Sequence, residues 1–93
     1  RVDLIKNGDD SKLSELGNLY FTIGDFGDSA IVFEEAIKIS GTNSQYFNNA
    51  ASAYANLGLG DKARDYYKKA LDLDPKLEMA RQGLERLQIV NGQ

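Results

Sequence analysis

The 93-residue chain carries 11 basic and 14 acidic side chains, for a net charge of −3, and 42% of its residues are hydrophobic. This length suits one small domain, and the negative charge argues against nucleic-acid binding, whose affinity comes mainly from neutralising phosphates. The absence of cysteine and histidine removes disulfides, thiolate and imidazole metal ligands and the commonest general base, although it does not fix the compartment.

Helices are predicted throughout, because the chain has a single proline and few runs of β-branched residues. The first nine residues fit either a flexible arm or the last turn of a preceding helix, and Asn7-Gly8-Asp9 then predicts a turn. Short connections require consecutive helices to pack antiparallel, and no apolar run approaches the roughly 18 residues of a membrane span. Five helices are predicted, at about 11–23, 28–40, 44–57, 61–73 and 76–90.

Glycines and capping residues set the predicted helix ends. Three glycines follow apolar-periodic segments, where a glycine with positive φ ends a helix at little cost. Thr42 and Gln45 have the spacing of a capping box, and Asp74 with Pro75 predicts an N-cap followed by a first-turn proline. The three glycines are Gly24, Gly41 and Gly58.

A shift of 34 residues superimposes the first two predicted helix pairs. The aligned residues are seldom identical, but each place keeps its class of small, large or aromatic side chain. Small residues let two helices approach closely, and aromatic rings fill the gaps between neighbouring hairpins. We therefore predict stacked helical hairpins, with Gly17 as the close contact of the first one. The aligned pairs include Gly17 with Ala51, Tyr20 with Tyr54, Ser29 with Ala63, and Phe33 with Tyr67.

This pattern resembles the tetratricopeptide repeat, a 34-residue helix–turn–helix unit. The second copy resembles it closely from Asn49-Ala50-Ala51 to Asp74-Pro75, whereas the first has Ser29 in place of the usual alanine and Gly41 where proline is common. The resemblance implies an all-α fold of antiparallel helix–turn–helix repeats, stacked as a short right-handed solenoid of two 34-residue repeats and a C-terminal capping helix.

The same resemblance implies a division of the chain into four parts. Residues 1–9 are an N-terminal arm or the remnant of a preceding helix, and residues 10–43 are repeat 1. Residues 44–77 are repeat 2, and residues 78–93 are the capping helix and tail. Gly83 lies inside the last predicted helix, and the pattern offers no reason for a glycine there.

Fragments of enzyme motifs carry no predicted chemistry. Asp25-Phe26-Gly27 and Gly58-Leu59-Gly60 lack the other parts of the kinase and phosphate-loop motifs that they resemble, so both are predicted to be turns between helices. The remaining carboxylates, lysines and tyrosines form no visible constellation. We predict that the chain is not an enzyme and has no cofactor and no metal site.

A polar stripe follows the first helix of each hairpin. Asparagine amides on such a stripe can bond both the N–H and the C=O of a peptide backbone. The resemblance implies a protein-interaction scaffold, whose concave face, made by the first helices, holds a peptide or partner segment; ordinary solvated residues are the alternative. The stripe comprises Gln45, Asn49, Ser52 and Asn56, aligned with Ser11, Glu15, Asn18 and Thr22. The candidate peptide-binding residues are Asn18, Thr22, Gln45, Asn49, Ser52 and Asn56.

One variant of the family grips the acidic C-terminal carboxylate of a chaperone with two asparagines and three basic residues. Asn18 and Asn49 match the asparagines, and a clamp without cations binds a carboxylate weakly. We therefore expect a partner other than an acidic chaperone C-terminal tail, and Glu15 in the acidic first half favours a neutral or basic ligand. The three basic places hold Ser14, Met79 and Gly83.

Self-assembly is the alternative function, in which the chain is an oligomerisation element of a larger repeat protein. Two repeats bury little surface, and at least three are normally needed for stability. Apolar residues near both ends would then pair between copies or dock on neighbouring repeats, so a homo-oligomer is possible. They are Val2, Leu4, Ile5, Ile89 and Val90.

Overall fold

The computed structural model describes residues 9–90, with residues 89 and 90 as backbone only. Over this range the chain contains five α-helices and no strand, which confirms the predicted all-α class. None of the described helices is long and apolar enough to cross a membrane. The helices are α1 (Asp10–Thr22), α2 (Phe26–Ile39), α3 (Ser44–Asn56), α4 (Gly60–Leu73) and α5 (Glu78–Val90).

The helices form a short stack of hairpins. Each helix contacts the next one along the chain, and α3 also contacts α5. Pairs α1–α2 and α3–α4 are the two hairpins, and α5 packs on the second of them as the capping helix. The predicted division at residues 10, 44 and 78 stays a prediction. The predicted arm, apart from Asp9, lies outside the described residues.

Helix ends follow the predicted chemistry in part. Gly24 and Gly58 have φ of 86° and 81° and end α1 and α3, as predicted. Gly41 does not end α2 in this way, because Ser40 is the C-cap, at φ −130° and ψ 76°, and Gly41 has no positive φ. The predicted capping box is wrong: the Asn43 side chain, and not that of Thr42, accepts from two free backbone N–H groups of α3.

The start of α5 also differs from the prediction. Asp74 ends α4, and its carboxylate accepts a hydrogen bond of 3.1 Å from the backbone N–H of Lys76. Pro75 therefore lies in the turn, and α5 begins only at Glu78. An aspartate satisfies a turn N–H as readily as a helix N–H, so the sequence Asp-Pro fits both positions.

The contact between the helices of the first hairpin is built on Gly17. A Cβ atom there would lie 2.8 Å from the fully buried ring of Phe33, which is closer than side-chain carbons pack. The Ser29 hydroxyl donates to the Gly17 carbonyl at 2.9 Å inside this contact. The predicted close contact at Gly17 is therefore confirmed.

Gly83 has the same role at the other end of the stack. A Cβ atom at this position of α5 would overlap the ring of Tyr67 on α4. Only a glycine lets α5 approach that ring, which is 3% exposed. The glycine inside the last helix is thus a packing requirement between the second hairpin and the capping helix.

Candidate functional site

A recess of about 150 Å³ opens on the side of the stack where the first helices α1, α3 and α5 meet. Small-molecule sites usually exceed about 300 Å³, so this recess has room for about one side chain of a larger ligand. Its lining contains no charged residue. The lining residues are Asn18 and Phe21 of α1, Phe33 of α2, Asn48, Asn49 and Ser52 of α3, and Met79 of α5.

Contacts with neighbouring helices hold two of the lining residues, Phe33 and Ser52. Phe33 is fixed by its contact with Gly17. The Ser52 hydroxyl is hydrogen-bonded to the Tyr67 hydroxyl at 3.1 Å, which ties α3 to α4 behind the recess. The side-chain oxygen of Asn49 accepts a long hydrogen bond of 3.4 Å from the side-chain amide of Asn48. The Asn18 side chain is exposed.

The structure brings three of the six sequence-predicted site residues into this recess, namely Asn18, Asn49 and Ser52. The other three lie outside its lining. Thr22 borders a shallow depression along α1, and its hydroxyl donates to the backbone carbonyl of Asn18 at 2.9 Å. Gln45 is exposed in the first turn of α3, and Asn56 is exposed with its amide bonded to the Ser52 carbonyl at 2.8 Å.

Sequence reasoning missed Asn48, Phe21 and Phe33 as lining residues. Asn48 is only 3% exposed, yet its neighbour Asn49 lies on the predicted polar stripe. The 34-residue alignment places Ser14 and Gln82 at the position of Asn48. A polar residue recurs there, but nothing in the sequence indicates that the middle one is buried.

A second polar cluster lies apart from the recess and joins the two hairpins. The Glu34 carboxylate of α2 accepts from the Tyr54 hydroxyl at 2.8 Å and from the Tyr66 hydroxyl at 2.6 Å. The two phenol rings stack with centroids 5.7 Å apart, and the Lys62 ammonium lies 4.8 Å from the Tyr54 ring centroid. Burial, followed by the bond to Glu34, raises the pKa of Tyr54 to about 12.

A bond of the same kind links α1 and α3. The Tyr46 hydroxyl donates to the Asp10 carboxylate at 2.9 Å. Burial is the main reason that the pKa of Tyr46 rises to about 12, and the carboxylate adds to it. Both clusters join phenols to carboxylates in the body of the stack, and none of these residues lines the recess.

Comparison with known proteins identifies the repeats. A family model for the tetratricopeptide repeat matches residues 13–43 and 44–77. The chain is 34% identical over 68 residues to Heat shock protein STI1 of Saccharomyces cerevisiae, a match that spans 73% of this chain and 12% of that protein. The chain therefore covers only a small part of this curated relative.

Solved structures share the fold. The TPR2B domain of yeast Sti1, in its complex with pHsp70, has a TM-score of 0.86 at 26% identity, covering 87% of this chain and 65% of that one. The first TPR of Spaghetti (RPAP3), bound to the HSP90 peptide SRMEEVD, has a TM-score of 0.89 over 94% of this chain and 69% of that one. Its identity is 15%, so this second likeness shows the fold alone.

These comparisons contradict the expectation that the partner is not an acidic chaperone C-terminal tail, because similar domains of yeast Sti1, at 26% identity, are solved in complexes with pHsp70 and with pHSP90. The expectation weighed only cations at three places. Gly83, one of the three, is buried against Tyr67 and does not line the recess. The Asn18 and Asn49 amides do line it, and their N–H groups can bond carboxylate oxygens without a charge. Missing cations at these places therefore do not exclude an acidic peptide.

The helix order, the buried small residues Gly17 and Ala51 at 34-residue spacing and the two matched repeats agree with one another. The chain belongs to the tetratricopeptide repeat family.

Proposed function

We propose that this chain is a protein-interaction module that holds an extended peptide segment of a partner along the concave face made by α1, α3 and α5. One observation carries the proposal. Asn18 and Asn49, which match the two asparagines of the family's peptide clamp, border the same recess although they are 31 residues apart. The partners of the similar domains support the same conclusion.

The chemistry of the recess suits a peptide backbone. An asparagine amide has donors and an acceptor, so one side chain can bond the C=O and the N–H of an extended strand. Two such amides on neighbouring helices fix the direction and register of a strand without reading its side chains. Selection among partners then falls to the side chain that enters the recess between Phe21, Phe33 and Met79.

The peptide SRMEEVD is the first ligand to test, because the same fold binds it in Spaghetti. Since the chain spans a small part of its curated relative, the partner of the whole protein is part of the proposal. A matched peptide, in which glutamines replace the glutamates and an amide replaces the C-terminal carboxylate, separates recognition of charge from recognition of the backbone.

The test is an NMR titration of the ¹⁵N-labelled chain with both peptides. We expect shifts in the backbone and side-chain amides of Asn18 and Asn49. Asn49→Ala should weaken binding about tenfold, since a hydrogen bond of this kind contributes roughly 1 kcal/mol and a charged partner adds to it. Gln88→Ala is the matched control, because that amide is exposed on α5 and does not line the recess. Shifts confined to α2 and α4, or no shifts with either peptide, would overturn the proposal.

Self-association is a second candidate, and the outer face of α1 favours it. Leu19 of α1 is 64% exposed and Ile23, the residue that caps α1, is 74% exposed, whereas Ala53, at the place of Leu19 in the next repeat, is fully buried. Exposed apolar side chains at an array end favour docking of another surface. Most of the apolar residues assigned to this role from the sequence lie outside the described residues, namely Val2, Leu4 and Ile5. The side chains of Ile89 and Val90 do as well.

Sedimentation velocity over a wide concentration range tests self-association. We expect a concentration-dependent dimer that Leu19→Glu abolishes, because a carboxylate would be buried without a partner. Leu59→Glu, at a half-exposed leucine beside the α3–α4 turn, is the control. A monomer at every concentration would exclude this candidate and leave the peptide proposal untouched.

A further inference from the structure

Asn48 is an unusual residue in the middle of α3. Its side chain is 3% exposed, and its carbonyl oxygen has no hydrogen-bond partner among the described residues. Its amide nitrogen makes one long bond of 3.4 Å, to the Asn49 carbonyl oxygen. A buried carbonyl without a donor destabilises a fold, so this residue is costly where it stands.

Its equivalents in the other first helices have access to solvent. The 34-residue alignment places Ser14 of α1 and Gln82 of α5 at this position, and the first is half-buried and the second exposed. Their polar atoms can therefore bond water. Only in the central helix, which has a first helix on either side, is the position sealed.

Asn48 is also part of the recess wall. It lines the recess together with Asn49 and Ser52 of α3 and with the apolar side chains of Phe21 and Met79. The Ser52 hydroxyl, one turn further along α3, is already bonded to Tyr67. The residue that carries the unsatisfied carbonyl is thus one of those that line the recess shared by Asn18 and Asn49.

We infer that Asn48 is a ligand-contacting residue of this recess, which rests on the proposed peptide-binding function. When a peptide binds, rotation of the side chain brings its amide towards the recess, and the carbonyl accepts the backbone N–H of one peptide residue. The contact gives the Asn48 side-chain carbonyl a hydrogen bond that it lacks in the free chain, so binding removes the cost of an unsatisfied buried acceptor.

The same geometry defines the class of ligand residue. The recess is uncharged and holds about one side chain, so the peptide residue that enters it is uncharged and of medium size. Its backbone N–H must be free, which excludes proline because proline has no backbone donor. In SRMEEVD the methionine and the valine meet both conditions.

The inference predicts opposite effects on stability and on affinity. Asn48→Leu keeps the approximate size of the side chain and removes the unsatisfied carbonyl, so the urea midpoint should stay the same or rise. The same variant should bind SRMEEVD about tenfold more weakly, as measured by calorimetry, since the hydrogen bond is lost. Gln88→Leu is the control, at an exposed amide of α5 that does not line the recess, and should leave affinity unchanged.

Two further measurements keep the outcome decisive. In the unsubstituted chain the side-chain NH₂ resonances of Asn48 should move on addition of SRMEEVD. N-methylation of the peptide backbone at the methionine or at the valine should reduce the affinity for the unsubstituted chain at one of the two positions. The same N-methylation should have little further effect on the affinity of Asn48→Leu, because that variant already lacks the hydrogen bond.

An unchanged affinity in Asn48→Leu, together with a loss in Asn49→Ala, would overturn the role of Asn48 and leave the proposed function standing. Unfolding of Asn48→Leu, with Asn48 resonances that do not move in the unsubstituted chain, would show a structural role and overturn it too. If neither Asn48→Leu nor Asn49→Ala changes affinity, the proposed function fails as well.

Discussion

The two hairpins use different residues at the contact between their two helices. In α1–α2 the contact is a glycine, Gly17, against the ring of Phe33, with a buried hydrogen bond from Ser29 across it. In α3–α4 alanines occupy the places of the glycine and the serine, Ala51 and Ala63, and both are fully buried.

The aromatic ring of each hairpin also differs. Phe33 contacts the glycine of its own hairpin, whereas Tyr67 uses its hydroxyl to bond Ser52 and packs its ring on Gly83 of the next helix. The 34-residue repeat therefore preserves the size of each side chain, and it does not preserve which pair forms the tightest contact. Substitutions at equivalent places should differ accordingly.

The largest expected effect is that of Gly17→Leu. The new side chain would overlap the fully buried Phe33 ring, so we expect a loss of about 1–3 kcal/mol or more in the free energy of unfolding. Urea denaturation followed by circular dichroism measures it. Gly27→Leu on α2 is the control, because nothing lies within 4 Å of a Cβ atom there. Equal midpoints for the two variants would contradict the contact.

Gly83→Ala tests the outward contact of the second hairpin. Overlap with the Tyr67 ring should outweigh the roughly 1 kcal/mol by which alanine favours a helix over glycine, giving a net loss of about 1 kcal/mol. In a Tyr67→Ala background the ring is absent, so the same change should instead stabilise by about 1 kcal/mol. A double-mutant cycle measures this reversal of sign. Additive effects would show that glycine and ring are not coupled.

Ser29→Ala should have a moderate effect. The buried bond to the Gly17 carbonyl is lost, which typically costs about 1 kcal/mol. Alanine fits, since Ala63 holds the same place in the second hairpin. The exposed serine of α1 provides the control, and Ser11→Ala should stay within about 0.5 kcal/mol. A loss no larger than that of the control would mean that the buried bond contributes nothing net.

The smallest expected effect on the free energy of unfolding concerns the contact between Tyr54 and Glu34, and it is seen only at alkaline pH. Folding raises the pKa of Tyr54 from its ordinary value near 10 to about 12, so the unfolded chain loses this proton first. The contribution of Tyr54 is thus fully present below pH 10 and is lost as the pH rises towards 12. The free energy of unfolding should fall across that range, and less steeply in Glu34→Gln. Identical alkaline slopes would argue against the Glu34 bond.

The fold was predictable because residue class recurs at a fixed spacing. Gly17 was identified by its alignment with Ala51 of the second repeat, and the ring that it contacts, Phe33, lies in its own hairpin. The role of Gly83 was not predicted because the ring that it contacts, Tyr67, belongs to the preceding hairpin. Spacing alone does not give the direction in which a side chain points. The capping box failed for a related reason, since Thr42 and Asn43 compete for the same N–H groups and only coordinates show which side chain reaches them.

The site was predictable only as a face of the helices. The periodic stripe identified Asn18 and Asn49, which the structure places at one recess. It did not reveal the depth of that recess, because depth depends on Phe33 from another helix and on Met79 from the capping helix. The expectation about acidic partners was wrong because it counted charges at three positions and left out neutral donors.

Glu34 joins the two repeats through hydrogen bonds. Its carboxylate, in the first repeat, accepts hydrogen bonds from the hydroxyls of Tyr54 in α3 and Tyr66 in α4, two helices of the second repeat. Opening the boundary between the repeats therefore leaves a half-buried anion and two phenols without partners at once. We expect the halves to melt together in one cooperative transition, and a chain cut between residues 43 and 44 to yield two peptides with little structure of their own.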